Sequence, residues 1–146
     1  MKKYTTWLKT AAIFQFINVI IHITSFFITP APNNETEKQL FTLMDTYQFD
    51  LGAGFHRTMS EVTLVFSSCL SLICLLGGLL NWYLLWKKIG PGIMKGIITI
   101  NLIVFGILFG LTITFTFLLP IISIGLIVLF LILSLFTISK ASRDKR

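Results

Sequence analysis

The run from Gly96 to Ser139 contains no charged residue. As a single α-helix it would be about 66 Å long, roughly twice the thickness of the hydrocarbon core of a bilayer. Only 12% of the whole chain is charged, which is about half of the share that is usual in soluble domains. The run is therefore expected to fold back on itself within a membrane, and Pro120 is the predicted point of reversal.

Two further uncharged segments precede this run. One extends from Thr10 to Thr29 and the other from Val62 to Trp86, and each is long enough to cross the hydrocarbon core. The sequence therefore predicts an all-α fold, an integral membrane four-helix bundle that forms a single membrane domain over residues 1–146. The predicted spans cover residues 7–29, 57–86, 95–118 and 121–139.

The segment between the first two predicted spans has the pattern of a short amphipathic helix over residues 34–48. Asn34 followed three residues later by Glu37 is a helix-capping pair. Leu40, Phe41, Met44 and Tyr47 fall on one face of this helix, and the charged residues Glu35, Lys38 and Asp45 fall elsewhere. The helix is expected either to lie on the extracytoplasmic surface of the bilayer or to cover the mouth of the bundle. The glycines that follow predict a turn over residues 49–54.

The cations are distributed unevenly between the two ends of the predicted spans. If the N-terminus is cytoplasmic, ten of the twelve Lys and Arg residues lie on the cytoplasmic side, and five of the six acids lie outside. Because cytoplasmic loops are rich in Lys and Arg, the sequence predicts a multi-pass plasma-membrane protein with both termini in the cytoplasm. The cytoplasmic cations would be Lys2, Lys3, Lys9, Lys87, Lys88, Lys95, Lys140, Arg143, Lys145 and Arg146.

Polar residues inside or beside the first two spans form the candidate functional site. An ionisable residue within a span is costly and often functional, so His22 is its most unusual member. The alternative is a structural role, in which a neutral His22 is hydrogen-bonded to serine and asparagine and holds two helices in register. Both roles remain open from the sequence. The site comprises His22, His56, Arg57, Glu61, Asn18 and Ser67.

Arg57 and Glu61 are four residues apart, and on one helix they would form an ion pair at the membrane boundary. Together with His56 they would stand at the mouth of a small pocket in the outer leaflet, with His22 beneath. A lipid or a small hydrophobic molecule is the expected ligand. The spacing of metal-binding motifs such as HxxxH is absent, so neither a metal nor another cofactor is predicted.

Helix packing is expected to depend on two other sets of residues. Asn81 and Asn101 both lie near the cytoplasmic ends of their spans, and they could pair between the second and third spans. Gly106 and Gly110 have the small-xxx-small spacing that allows helices to approach closely, either inside the bundle or in a homo-oligomer. The last span is almost wholly apolar and is expected to face lipid. Association with another chain, if it occurs, would use span three or four.

The stretch from Asn33 to Glu61, with its runs ETEKQL, LMDTYQFD and GAGFHRTMSE, resembles a loop of small bacterial four-span membrane proteins of uncharacterised function. The run GGLLNWYLL in the second span is part of the same resemblance. It covers about a third of the chain and implies the four-span architecture. It implies neither an activity nor a site.

These features favour an accessory or non-enzymatic integral membrane protein with a small polar site in the outer leaflet. The alternative is a membrane enzyme or carrier that handles a lipophilic small molecule with His22, His56, Arg57 and Glu61. Nucleic acid is not an expected partner, because the cations that produce the net charge of +6 lie at span ends and do not form a basic stripe. The lipid bilayer is the expected partner.

Overall fold

A computed structural model describes residues 3–28 and 31–143 of the chain. Within these residues it contains five helices and one two-stranded antiparallel hairpin. Four of the helices are long and apolar enough to cross a membrane, as the sequence predicts. The elements are α1 (Lys3–Ser25), α2 (Glu35–Thr46), β1 (Gln48–Asp50), β2 (His56–Thr58), α3 (Met59–Trp86), α4 (Pro91–Phe115) and α5 (Leu118–Arg143).

The reversal between the last two long helices occurs before the predicted point. α4 ends at Phe115 and α5 begins at Leu118, so Pro120 lies in the first turn of α5. Proline is tolerated there because the first amides of a helix have no partner within it. Thr116 is the C-cap of α4, and its backbone N–H donates to the carbonyl of Thr112 at 3.0 Å.

The first long helix also ends earlier than predicted. α1 stops at Ser25, and the amides of Phe26, Phe27 and Ile28 donate to carbonyls three residues earlier, at 3.1–3.3 Å. Such bonds are typical of a helix end that tightens into a 3₁₀ turn. Thr29 and Pro30, where the sequence predicts the end of the span, lie outside the described residues, as do the cations Lys2, Lys145 and Arg146.

The chain forms two compact units. The first unit comprises Met1–Asn18 and Cys74–Arg146, and it contains the N-terminal part of α1, the C-terminal part of α3, and α4 and α5. The second unit comprises Val19–Ile73, and it contains the remaining parts of α1 and α3 together with α2 and the hairpin.

Apolar side chains from all four long helices form the core of the first unit, in which α4 and α5 pack along each other. The sequence predicts that the last span faces lipid, but one stripe of α5 is buried. An all-apolar helix has no polar face that would reveal its orientation in the sequence. Ser134 Oγ donates to the carbonyl of Tyr4 at 3.0 Å and so joins α5 to α1. The buried stripe consists of Ile124, Ile127, Leu131, Ser134 and Ile138.

In the second unit, the capping pair predicted for the short helix is present. Asn34 Oδ1 accepts from the amide of Glu37 at 2.9 Å. The Glu37 carboxylate in turn accepts from the backbone amide of Asn33 at 2.7 Å. These bonds satisfy amides that a helix start leaves without internal partners. α2 is shorter than predicted, and none of its residues is buried.

The hairpin contains the predicted turn, but its strands were not predicted. Phe49 pairs with Arg57, and the loop closes where Leu51 N–H donates to the carbonyl of Phe55 at 2.9 Å. The three central residues have positive φ, with 83° at Gly52, 52° at Ala53 and 80° at Gly54. This left-handed region is readily adopted by glycine. The prediction that the second span begins at residue 57 is wrong, because Arg57 is in a strand and α3 begins at Met59.

Candidate functional site

Glu61 is the member of the predicted site whose role differs most from expectation. Its carboxylate Oε2 accepts from the backbone amide of Thr58 at 2.9 Å. Thr58 Oγ1 accepts from the amide of Glu61 at 3.3 Å. The two bonds form a reciprocal capping box at the start of α3. Glu61 therefore stabilises the first turn of the helix.

The predicted ion pair between Arg57 and Glu61 is not formed. Its premise was that both residues lie on one helix, whereas Arg57 belongs to β2 and Glu61 to α3. The Arg57 guanidinium donates to the carbonyl of its neighbour His56 at 2.8 Å. Lys38 and Glu35 on α2 are the ion pair that the structure shows among the described residues, at 3.5 Å. Both of their side chains are exposed, so the pair contributes little to stability.

Arg57 and Glu61 nevertheless line the same surface depression, which has a volume of about 360 Å³. The depression is mostly apolar. It contains a cation and a carboxylate beside hydrocarbon, an arrangement that suits the headgroup end of an amphiphile. The apolar lining includes Leu51, Val62, Val65 and Phe66.

The two histidines do not contribute to this depression. Among the described residues, neither His22 nor His56 lines it, and neither does Ser67. His22 is half-buried on α1, and its carbonyl accepts from Ser25 Oγ at 2.7 Å. Ser67 on α3 accepts from Ser71 Oγ at 3.0 Å through its own carbonyl. His56 is exposed on β2. The described residues thus do not assemble the predicted site in one place, and no three of their His, Cys, Asp or Glu side chains converge.

A chain of three buried amides in the first unit is the polar centre that the structure does assemble. Gln15 Oε1 accepts from Asn81 Nδ2 at 2.9 Å, and Asn81 Oδ1 accepts from Asn101 Nδ2 at 3.0 Å. Gln15 and Asn81 are fully buried, and Asn101 is buried as well. The bonds connect α1, α3 and α4. The sequence predicts the contact between Asn81 and Asn101. It also places Gln15 and Asn81 on polar faces of the first two spans that are expected to turn towards each other, but it does not pair these two residues.

One polar atom of Gln15 has no partner among the described residues. This atom, Nε2, is buried, and no acceptor in the described part of the chain bonds to it. The space around this nitrogen depends on Gly77, because a Cβ at that residue would lie 2.5 Å from Gln15 Nε2 and 2.8 Å from Phe105 Cε2. A glycine is therefore required for α3 to pass beside the amide and the aromatic ring. The other buried amide of α1, Asn18, bonds only within its own helix, to the carbonyl of Phe14 at 3.0 Å.

Gly106 and Gly110 do not mediate close helix packing inside the first unit. A Cβ at either position would meet no atom within 4 Å among the described residues. The glycines in tight contacts are instead Gly77, Gly78 beside Phe16, and Gly125 beside Phe109. The small-xxx-small spacing indicates that two helices can approach, but it does not indicate which surface is covered. Association between chains, the other role expected for these glycines, stays a prediction.

Four of the six buried polar side chains that the structure describes in the first unit thus connect helices, while Arg57 and Glu61 serve a hairpin and a helix start. Sequence reasoning missed the role of Ser134, since a buried polar residue reveals its partner only when the helices are packed. The motif Thr58-x-x-Glu61 is a capping box, and it was the sequence pattern that could have predicted a helix start at Met59. Comparison of the chain with protein-family models, with curated proteins and with solved structures found no match.

Proposed function

We propose that this chain is a four-span integral membrane protein with an accessory, non-catalytic role. One observation carries this proposal: among the described residues, four of the six buried polar side chains of the first unit are bonded to other helices. Gln15, Asn81 and Asn101 join three helices, and Ser134 joins a fourth to α1. A polar group in hydrocarbon is costly unless it has a partner, so such bonds stabilise a bundle without performing chemistry.

The charge distribution supports the orientation in which both termini are cytoplasmic. The loop between α3 and α4 contains Lys87 and Lys88, and Lys95 follows in α4. The segment between α1 and α3 contains four acids and only two cations, Lys38 and Arg57, and a fifth acid, Glu61, lies in the first turn of α3. Since cations are enriched in cytoplasmic loops, the segment with α2 and the hairpin would face the other side of the plasma membrane.

The composition of α2 supports a position on the membrane surface. Its apolar side chains remain uncovered, for example Leu43 at 59% exposure and Leu40 at 52%. Three of its four charged residues, Glu35, Lys38 and Asp45, fall on the other side of the helix. An amphipathic helix with an uncovered apolar face is stabilised when that face enters the headgroup region of a bilayer. We therefore expect the lipid bilayer to cover Leu40 and Leu43.

Single cysteines test the orientation and the surface position together. In a variant that lacks Cys69 and Cys74, Asn34→Cys in intact cells is expected to react with a membrane-impermeant maleimide. Labelling of Asn34→Cys only after the cells are opened would contradict the orientation. In vesicles, a fluorophore on Leu43→Cys is expected to be quenched by lipids brominated near the headgroup, and more strongly than on Thr42→Cys. Equal quenching at the two positions would contradict the surface position.

The depression beside Arg57 and Glu61 supports a second candidate function, a carrier or enzyme for a lipophilic small molecule. Its apolar lining beside two charged groups suits an amphiphilic ligand. The paired variants Arg57→Gln and Glu61→Gln, which change the two charged groups of the depression, separate the two functions. If both remain as stable as the wild type in detergent but fail to restore the phenotype of cells that lack the protein, the carrier or enzyme is supported. If both restore the phenotype, the accessory function is supported.

A further inference from the structure

The first unit contains a surface groove between the N-terminal part of α1 and the C-terminal part of α3. Its volume is about 270 Å³. The groove has two walls, one on each helix. Each wall contains a pair of residues at i and i+4, which lie on the same face of a helix. Thr5 and Lys9 of α1 form one wall, and Trp82, Leu85 and Trp86 of α3 form the other.

A second depression, of about 260 Å³, adjoins the first and shares Thr5 and Leu85 with it. Its lining also includes Lys88, which follows the end of α3, and Met94 at the start of α4. The two depressions together are called the basic groove below. It has Lys9 in one part and Lys88 in the other, with the hydrocarbon of Leu85 between them.

Lys88 has a backbone conformation that lysine rarely adopts. Its φ is 49°, in the left-handed region. The amide of Lys88 donates to the carbonyl of Leu85 at 3.3 Å, and that of Ile89 donates to Leu84 at 3.2 Å. These bonds form a Schellman motif, and the position of Lys88 in such a motif is usually occupied by glycine. A cation is thus present where the backbone favours a residue without a side chain.

The aromatic side chains of the groove are typical of a membrane interface. Trp86 is 72% exposed, and Lys87 Nζ lies 4.8 Å from the centroid of its ring. Trp82 is held on its other side by Phe16 of α1, in an edge-to-face contact with ring centroids 6.4 Å apart. Tryptophan rings concentrate at the level of lipid headgroups, where one part of the ring is in hydrocarbon and the indole N–H is in water.

The surroundings of the groove are cationic. No Asp or Glu occurs from Met1 to Asn34, and none occurs from Val62 to Arg143. All residues that line the groove lie within those two ranges. An anion in the groove would therefore meet several lysines and no nearby carboxylate from these parts of the chain. Lys9 and Lys88 line the groove, and Lys3, Lys87 and Lys95 are adjacent in the sequence to residues that line it.

We propose that the basic groove binds the headgroup of an acidic phospholipid. The lipid phosphate would lie between Lys9 and Lys88, and an acyl chain would lie along Trp82 and Leu85. A phospholipid fits better than free phosphate, because the lining of the groove is mostly apolar and its charged members are the two lysines. This inference depends on the proposed membrane insertion, and it adds a specific ligand to it.

Native mass spectrometry of the full chain, released from vesicles of phosphatidylcholine and phosphatidylglycerol, tests the inference. The wild type is expected to retain phosphatidylglycerol in preference to phosphatidylcholine. Lys9→Gln and Lys88→Asn should each lower the retained fraction about fivefold, which corresponds to about 1 kcal/mol for one cation at an anionic surface. Asparagine is chosen at residue 88 because it tolerates the left-handed conformation, so the helix end is preserved.

Two control variants separate a site from general attraction to a negative surface. Lys9→Arg keeps the charge and is expected to retain the lipid. Lys38→Gln removes one cation from α2, in the second unit, and is expected to have no effect. An equal loss in Lys38→Gln and Lys9→Gln would overturn the site, because the lysines would then act only through net charge.

Two further measurements distinguish the ligand and the membrane insertion. Inorganic phosphate in excess should not displace phosphatidylglycerol from the wild type, and complete displacement would show an anion site without a lipid site. Extraction of membranes with alkaline carbonate reports insertion separately. If the protein remains in the membrane pellet but retains no preference for phosphatidylglycerol, the lipid site is wrong and the proposed insertion stands. If the protein is extracted, the proposed function itself fails.

Discussion

Asn81 Oδ1 accepts a hydrogen bond from Asn101 Nδ2 at 3.0 Å, while Asn81 Nδ2 donates to Gln15 Oε1 at 2.9 Å. Asn81 thus contacts both other amides, and its side chain joins α1 to α4 through α3. Fully buried side chains such as Leu84, Ile98 and Phe105 belong to the same core. An amide in such surroundings has no water to replace a lost partner, so the central residue of the chain of amides is the most sensitive one.

The first prediction concerns this central amide. Asn81→Leu would leave Gln15 Oε1 and Asn101 Nδ2 without partners in the core. One buried polar atom without a partner costs about 1–3 kcal/mol, but interhelical bonds in membranes average only about 0.6 kcal/mol. We expect a loss of about 2 kcal/mol in the free energy of unfolding. Unfolding by sodium dodecyl sulfate in mixed micelles measures it.

Asn18→Leu is the matched control for that substitution. Asn18 is also a buried amide, with 2% exposure, but it bonds to Phe14 within its own helix. The same change of side chain there breaks no bond between helices, and we expect a loss of less than 1 kcal/mol. If Asn18→Leu is as destabilising as Asn81→Leu, the chain of amides does not hold the helices together.

The second prediction concerns the close approach of α3 to Gln15. Gly77→Ala places a Cβ 2.5 Å from Gln15 Nε2 and 2.8 Å from Phe105 Cε2. Both atoms belong to fully buried side chains, so the helices must move apart or the side chains must leave their rotamers. Such overpacking costs about 1–3 kcal/mol. Thermal unfolding in detergent should show a clear decrease in Tm.

Gly106→Ala is the control, because a Cβ at that residue meets no atom within 4 Å. Alanine has a higher helix propensity than glycine, and the stability of this variant should be unchanged or slightly higher.

The Gly106→Ala variant also tests association between chains. If Gly106→Ala lowers the oligomeric state seen by native mass spectrometry, the open face of α4 is an interface between chains.

The four long helices could be predicted because hydrocarbon thickness sets a minimum length for an uncharged run. The run from Gly96 to Ser139 could only be two helices, and their existence did not depend on the exact place of the reversal. The reversal itself was placed at Pro120 because proline often ends a helix. Proline is equally suited to the first turn of the next helix, which is where the structure has it.

The hairpin and the predicted polar site show what the sequence could not reveal. β1 and β2 have three residues each, too few for an alternating pattern to be recognised. Without the strands, Arg57 was assigned to the helix of Glu61, and the ion pair followed from that assignment. The partner of Gln15 could not be predicted either, since the pairing of buried amides depends on the rotation of three helices about their axes.

The third prediction separates a helix cap from a catalytic or paired carboxylate at Glu61. Glutamine at this position can still accept from the amide of Thr58, so Glu61→Gln should preserve the first turn of α3. Glu61→Ala removes the acceptor and should cost about 1 kcal/mol locally. Hydrogen exchange of the peptide that covers residues 58–64 measures the change, and faster exchange is expected only in the alanine variant.

Arg57→Gln provides the control for this prediction. Its guanidinium bonds to the carbonyl of His56 and not to Glu61, so exchange at the start of α3 should not change. An ion pair would give a different pattern: Arg57→Gln and Glu61→Gln would then raise the exchange rate equally, and the effect would decrease at high salt. That pattern would contradict the capping box.

The fourth prediction concerns the loop of the hairpin. Ala53 has a φ of 52° between two glycines that also have positive φ, and an L-residue in this region costs about 1 kcal/mol. Ala53→Gly should therefore slow hydrogen exchange of the Leu51 and Phe55 amides, whose bonds close the loop. Gly54→Ala should accelerate the exchange of these two amides, because it adds a second strained residue at a φ of 80°.

Gly96→Ala is the control, because it makes the same chemical change inside α4, where φ is helical. It should leave the exchange of both amides unaffected. If Ala53→Gly accelerates exchange instead, the flexibility that glycine adds to the unfolded loop outweighs the relief of strain.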